Sequence, residues 1–326
     1  MAMERNTGSR SRPWRRLPGA ATLLLGVLTG PAGAQDTTMA LRSGPLSIDP
    51  HFSSAGQHAS ALRNIFDALV RRSADMRLEP NLAESWRRVD DDTWEFRLRR
   101  DVRWHDGTPF TAADVKFSVE RIPTVVAGTG GLGAYVRSIR ETVVVDDHTV
   151  QFRTHGPAAT LLAELDRVFI VQARAAGGAD NATFRSGAAA VGTGPYRYVS
   201  WEPRGDLVLE RFDGYWGERP HFRRVVMREI ANDSSRVAAL LAGNVDLINY
   251  VPPASVSTLN RTAEMQVLQV PSIYVFLLHP DGRETSPLVS DNQGQPLARN
   301  PFRDIRVRQA LSLSINRVGM ARNIME

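Results

Sequence analysis

The sequence contains no cysteine. That excludes disulfides, thiolate metal sites and a cysteine nucleophile, and it also excludes the thiol through which lipoproteins are anchored. Lysine is nearly absent, with Lys116 alone among forty basic residues, a bias read as base composition and given no functional meaning. The apolar run from Ala20 to Leu28 is the longest near the N-terminus, and it falls well short of the roughly 20 residues a membrane-spanning helix needs. The seven histidines are scattered, with no i, i+4 pair and no carboxylate–histidine spacing suited to a metal. No serine occupies a nucleophile elbow. No cofactor is expected.

The formal net charge of +5 suggests a nucleic-acid partner until it is located. Residues 1–34 hold five arginines against Glu4, a balance of +4 that leaves +1 for everything else. The basic face a phosphate-backbone binder requires is therefore missing. The same 34 residues run from a basic region through the apolar run to Ala32-Gly33-Ala34, the layout of a cleavable secretory signal peptide, with cleavage expected after Ala34. Arg15-Arg16 resembles a twin-arginine signal, but Leu17-Pro18 continues it poorly, so the export route is left open.

What remains is a chain of mixed α and β patterning, 42% hydrophobic and 23% charged, long enough for more than one core. A strand is expected over Leu41–Ile48, then a turn at Asp49-Pro50 and an exposed loop His51-Phe52-Ser53-Ser54. Leu62, Ile65, Phe66 and Leu69 at helical spacing predict a helix over Ala59–Val70. In Thr93–Arg100, Trp94, Phe96 and Leu98 alternate with Glu95, Arg97 and Arg99, the period of a half-buried strand. Thr111 and Asp114 form a capping-box variant for a helix that Pro123 ends. A hairpin is expected across Asp146–Thr149, strands at Tyr196–Trp201 and Leu207–Phe212, and a strand–helix–strand crossover from Val225 to Tyr250 with Gly243 closing the helix. Gln266–Leu278 is β-prone, and Asp304 is placed to cap a helix bearing Val307, Leu311 and Ile315.

Two clusters invite a catalytic reading. In Trp104-His105-Asp106-Gly107, adjacent His and Asp on a strand point to opposite faces, so a turn with a packed tryptophan is the better account. Gly192-Thr193-Gly194 lacks a P-loop lysine and precedes a strand, so a tight turn is expected in place of a phosphate cradle.

Taken in order, Asn81-Leu82-Ala83-Glu84-Ser85-Trp86, Phe96-Arg97-Leu98-Arg99, Trp104-His105-Asp106-Gly107-Thr108-Pro109, Ala113-Asp114-Val115, Gly192-Thr193-Gly194-Pro195-Tyr196 and Arg306-Val307-Arg308-Gln309-Ala310-Leu311 resemble the bacterial extracellular solute-binding protein family 5. The sequence departs from that pattern at Leu278-His279, where asparagine is frequent, and at Asn316, where aspartate is common. The resemblance implies an α/β, periplasmic binding protein-like two-lobed fold of type II. Residues 35–76 and 191–268 would form a discontinuous first lobe, 77–190 an added subdomain, and 269–326 the start of a second lobe that is incomplete, since members are longer. It implies a non-enzymatic, monomeric periplasmic receptor that captures a solute, most often a peptide or dipeptide, and hands it to an inner-membrane ABC permease. It also implies solute contacts from His51, Phe52 and Ser53 on the loop after the first strand, and from Tyr250 and Tyr274 near the lobe crossings. A non-transport receptor, a chaperone-like module and an exported hydrolase are the competing readings.

Overall fold

The computed structural model describes residues 36–126, 130–269 and 277–320. They belong to a compact unit spanning Gln35–Glu326. The expected leader, and Tyr274, lie outside the described residues.

In chain order the strands are β1 (Asp36–Leu41), β2 (Val70–Arg72), β3 (Leu78–Pro80), β4 (Ala83–Arg88), β5 (Thr93–Leu98), β6 (Ile139–Asp146), β7 (Thr149–Thr154), β8 (Tyr196–Trp201), β9 (Asp206–Arg211), β10 (Arg224–Glu229) and β11 (Leu247–Ile248). The helices the site depends on are α1 (Gly56–Leu62) and α2 (Ala112–Arg121), and further along come α3 (Gly133–Val136), α4 (Leu161–Leu165), α5 (Ala173–Ala176), α6 (Asn181–Arg185), α7 (Asp233–Leu241), α8 (Pro253–Arg261) and α9 (Ile305–Ser314).

Two sheets organise these elements. One has the order β11-β1-β10-β9-β8, with β1 parallel to both neighbours. The crossover β10–α7–β11 thus steps over β1, which lies between the two strands it joins. The other sheet has the order β4-β5-β7-β6 and is antiparallel throughout. Each sheet carries its own core. Phe96, Leu98, Trp104, Phe110, Val115, Val150 and Phe152 pack against the antiparallel sheet. Ile48, Leu62, Ile65, Phe66, Phe169, Phe184, Leu207 and Leu209 pack against the mixed one. Complete burial of a side chain of this size contributes about 1.5–3 kcal/mol.

The antiparallel sheet follows its sequence pattern with one difference. Phe96 and Leu98 are buried as the alternation requires, yet Glu95 on the opposite face is covered as well. β5 is central, and from the flanking strands Arg87 donates to Glu95 Oε1 at 2.7 Å while Gln151 donates to Oε2 at 2.8 Å. Cross-strand partners thus cover a carboxylate expected to face water. The Asp146–Thr149 hairpin forms as expected with longer arms. The capping box is present on α2, with Asp114 accepting from the Thr111 amide at 3.1 Å. α7 ends at Gly243 in the left-handed region, φ 70°.

Two expectations are corrected, and a third is reached only at its ends. The first strand runs Asp36–Leu41, not Leu41–Ile48, because pairing to β10 ends where Leu41 meets Glu229. The helix expected over Ala59–Val70 stops at Leu62 although Leu62, Ile65, Phe66 and Leu69 are all buried. The carbonyls of Asn64 and Ile65, which a continuing helix would use, accept instead from the amides of Tyr196 and Gly194. Finally, residues 266–269 form no strand, and the rest of that β-prone stretch through Phe276 lies outside the described residues. Asp304 caps α9 as expected, accepting from Arg306 N at 2.9 Å, but Val307, Leu311 and Ile315 are only partly covered.

Candidate functional site

The loop after β1 is built on one buried ion pair. Asp49 accepts from Arg121 through both oxygens, Nη1 at 3.0 Å and Nη2 at 2.6 Å, with side chains 2% and 7% exposed. Two charges are costly to bury, and the fork geometry together with further bonds offsets that cost. The further bonds are present: Arg121 also reaches His51 Nδ1 at 2.9 Å and the Ala179 carbonyl at 3.3 Å, and its guanidinium lies 5.0 Å from the centre of the Phe184 ring. Asp49 Oδ1 accepts from the His51 amide at 2.9 Å, which tightens the turn after Pro50.

Beside this pair lies a cavity of about 500 Å³. Its polar wall includes Asp49, Glu120, Arg121 and Asp180, and Phe117 and Val125 contribute apolar area. The volume is in the range that holds a small solute, and a mainly apolar wall with a few directed polar groups suits such a ligand. The loop is clasped on its far side by Ser54, whose amide donates to the Gly130 carbonyl at 2.7 Å.

The residues expected to contact solute are distributed as follows. His51 is buried, with Nε2 donating to the Phe169 carbonyl at 2.8 Å and Nδ1 taken by Arg121, so neither ring nitrogen has capacity left for a solute in this conformation. Burial, aided by the Arg121 charge and opposed by Asp49, lowers the imidazole pKa to about 4. Ser53 is buried with its hydroxyl accepting from the Ala55 amide, and Phe52 is half-buried. None of the three lines the cavity, although Asp49 of the same loop does. Tyr250 stands apart near the ends of β1 and β11, half exposed, with φ 52° and the Arg42 guanidinium 5.9 Å from its ring centre. Its backbone is fixed by Arg236, fully buried on α7, which donates to the Tyr250 carbonyl at 2.8 Å.

Sequence reasoning missed Asp49 and Arg121 as the organising pair. Asp49-Pro50 carried only a turn signal, and Arg121 carried none, lying in the last turn of α2. Nothing along the chain links two residues 72 positions apart.

The two clusters that invited a catalytic reading meet each other. Trp104 is buried and its indole donates to Asp114 at 3.3 Å. His105 grips the 192–194 segment three times: its amide donates to the Gly192 carbonyl, Nδ1 accepts from Gly192 N, and Nε2 donates to the Gly194 carbonyl. The Gly194 amide is spent on Ile65. A phosphate cradle needs these amides free, so the segment is a brace. Asp106 meets Thr108, Gln172 and Arg174, not its histidine neighbour. Burial works against ionisation of Asp106, but these donors more than offset it and hold the carboxyl far below the usual range.

A second cavity, of about 480 Å³, is bordered by Arg63, Asp67, Arg71, Asn81 and Tyr215. Asp67 accepts from Asn81, Thr193 and Trp216, and burial still raises its pKa. The arginines here are paired to Asp166 and Glu79. Among the described residues no group of three or more His, Asp or Glu side chains is placed to hold a metal, and no helix is long and apolar enough to cross a membrane.

Comparison with known proteins places the scaffold. Residues 77–326 match the family model described as bacterial extracellular solute-binding proteins, family 5 Middle. The probable D,D-dipeptide-binding periplasmic protein DdpA of Escherichia coli K12 is 27% identical over 291 residues, covering 86% of this chain and 53% of that protein. The glutathione-binding protein GsiB of Pectobacterium atrosepticum is 27% identical over 306 residues, covering 93% and 56%. The ABC transporter-associated periplasmic binding protein DppA of Helicobacter pylori, solved with the peptide STSA, superposes with a TM-score of 0.62 at 28% identity over 70% of this chain and 49% of that one. The chain thus spans about half the length of the relatives it matches. With a family match over most of its length and an α/β fold shared with periplasmic binding proteins, the chain belongs to the bacterial extracellular solute-binding proteins, family 5.

Proposed function

We propose that the protein is the solute-capturing component of an ABC importer, working in the periplasm after export through the leader at residues 1–34, and that its solute is a peptide or dipeptide. The observation that carries this reading is the family match over residues 77–326, joined to relatives whose names specify a D,D-dipeptide, glutathione and a bound peptide. The captured solute would pass to an inner-membrane permease, and the receptor itself would be monomeric and non-catalytic.

The division into a first lobe (35–76 and 191–268) with an added subdomain (77–190) is part of the proposal, and the separate cores of the two sheets support it. In the proposed site the Asp49 loop supplies Phe52 and Ser53 to the solute, with Tyr250 and Tyr274 as aromatic surfaces, while His51 holds the loop from behind. An aromatic ring offers apolar area plus a polar tip, and an extended peptide is held chiefly by main-chain hydrogen bonds, which suits recognition of many side chains.

Native mass spectrometry of protein purified from its own periplasm tests the proposal. The expected result is a co-purifying peptide mass that di- and tripeptides displace. Turnover of peptide or ester substrates, or a retained non-peptide solute that peptides do not displace, would overturn it.

A further inference from the structure

Three histidines share one bonding arrangement. His58 on α1 accepts from the Leu46 amide at Nδ1 (3.3 Å) and donates from Nε2 to the Asp49 carbonyl (3.1 Å). His51 accepts from Arg121 at Nδ1 and donates from Nε2 to the Phe169 carbonyl. His105 accepts from the Gly192 amide at Nδ1 (3.2 Å) and donates to the Gly194 carbonyl (2.9 Å). A carbonyl can only accept, so each ring is the neutral Nε2–H tautomer with Nδ1 as an obligatory acceptor. A second proton, on Nδ1, would set N–H against N–H at the three Nδ1 contacts while the Nε2–carbonyl bonds stayed matched.

All three rings join separate parts of the chain. His58 holds the 46–49 turn on α1. His51 ties the Asp49 loop to α2 and to the Phe169 segment. His105 ties the Trp104 turn, which belongs to the core of the antiparallel sheet, to the 192–194 segment, which lies on Ile65 in the core of the mixed one. We propose that these imidazoles form an acid-operated latch: on protonation the 46–54 loop and the 192–194 segment release their partners while the strands of both sheets stay paired.

The charges around the rings agree. His51 faces Asp49, Arg121 and His58; His58 faces Asp49; His105 faces Asp106 and Arg197, with the Phe212 ring against its edge. Burial, the largest influence on each ring, outweighs the neighbouring carboxylates and lowers all three pKa values from 6.5 to about 4. Because the folded value lies below the unfolded one, each latch is whole above about pH 6.5 and weakens as pH falls toward about 4, by up to about tenfold per pH unit.

Hydrogen exchange at about pH 7 and about pH 5, corrected for intrinsic rates, reads the latch directly and needs no solute. Peptides covering 46–54 and 190–196 should lose protection in acid while those covering β5, β7, β9 and β10 keep it. In the double variant His51→Asn/His105→Asn, which keeps an acceptor in place of Nδ1 but cannot titrate, the acid step at 190–196 should disappear. Imidazole ¹⁵N shifts of the unaltered protein provide a second reading that needs no variant, expected to show Nε2–H tautomers titrating below about pH 5. Ordinary titration near 6.5, Nδ1–H tautomers, or loss of protection in the sheets together with the loops would each overturn the latch.

Discussion

Adding one methyl group at Gly192 should break the junction between the two cores. An ideal Cβ there would lie 1.7 Å from the Ile65 carbonyl oxygen and 2.6 Å from its carbon, both backbone atoms with no rotamer to escape into. Gly192 does not have positive φ, so the conflict is one of space alone. Separating the segments strains the Gly194–Ile65 and Tyr196–Asn64 hydrogen bonds on one side and, on the other, the two bonds that the Gly192 backbone itself makes with His105. Forced overpacking costs about 1–3 kcal/mol and each lost bond about 0.5–1.5 kcal/mol, so losing two of the four brings Gly192→Ala to about 2–6 kcal/mol. At about 2–4 °C per kcal/mol for a domain somewhat smaller than this one, Tm should fall by about 4–24 °C in calorimetry. Gly133→Ala is the control, since a Cβ there meets nothing within 4 Å, and its effect should stay within about 0.5 kcal/mol. A Gly192→Ala protein melting within about 1 °C of the parent would refute the reasoning.

Arg121→Ala leaves Asp49 buried without its partner and should cost about 3–5 kcal/mol in urea unfolding, and Arg121→Lys should recover only part of that because an ammonium cannot form the fork. Trp104→Ala removes a side chain 1% exposed and should cost about 3–5 kcal/mol by the same assay, with loss of near-ultraviolet signal. Tyr250→Ala, at a half-exposed position, should leave Tm within about 1 °C yet weaken peptide capture about tenfold in calorimetric titration. Because His51 and His58 titrate lower in the folded than in the unfolded chain, Tm should fall between pH 7 and pH 5, and no fall at all would contradict their burial.

Much of the antiparallel sheet was legible because its signals are local. The β5 alternation, the Thr111–Asp114 cap and the turn at Asp147-His148 each lie within a few residues of what they control. The helix at 59–70 was over-extended for the opposite reason. Its apolar spacing is real and every expected core residue is buried, but the carbonyls that would carry the helix past Leu62 are claimed by a segment some 130 residues later. The site follows the same rule. The loop at 49–54 could be found from Asp49-Pro50, whereas the pairing of Asp49 with Arg121 depends on how α2 lands against that loop. The roles of Gly192 and Gly194 were half legible: a tight turn was readable, but the backbone they must approach was not.

The position of β1 between β10 and β11 also bears on when the protein can fold. Its contacts reach across 187 residues at the Arg223–Asp36 pair and 208 at Thr38–Asp246. Both strands that flank β1 are thus synthesised long after it, and such distant pairings pay their loop-closure entropy before any contact repays it. A nascent chain short of Ile248 has no completed mixed sheet to settle into. The antiparallel sheet, complete at Thr154 and with a core of its own, can pair while the mixed sheet still waits for its last strand.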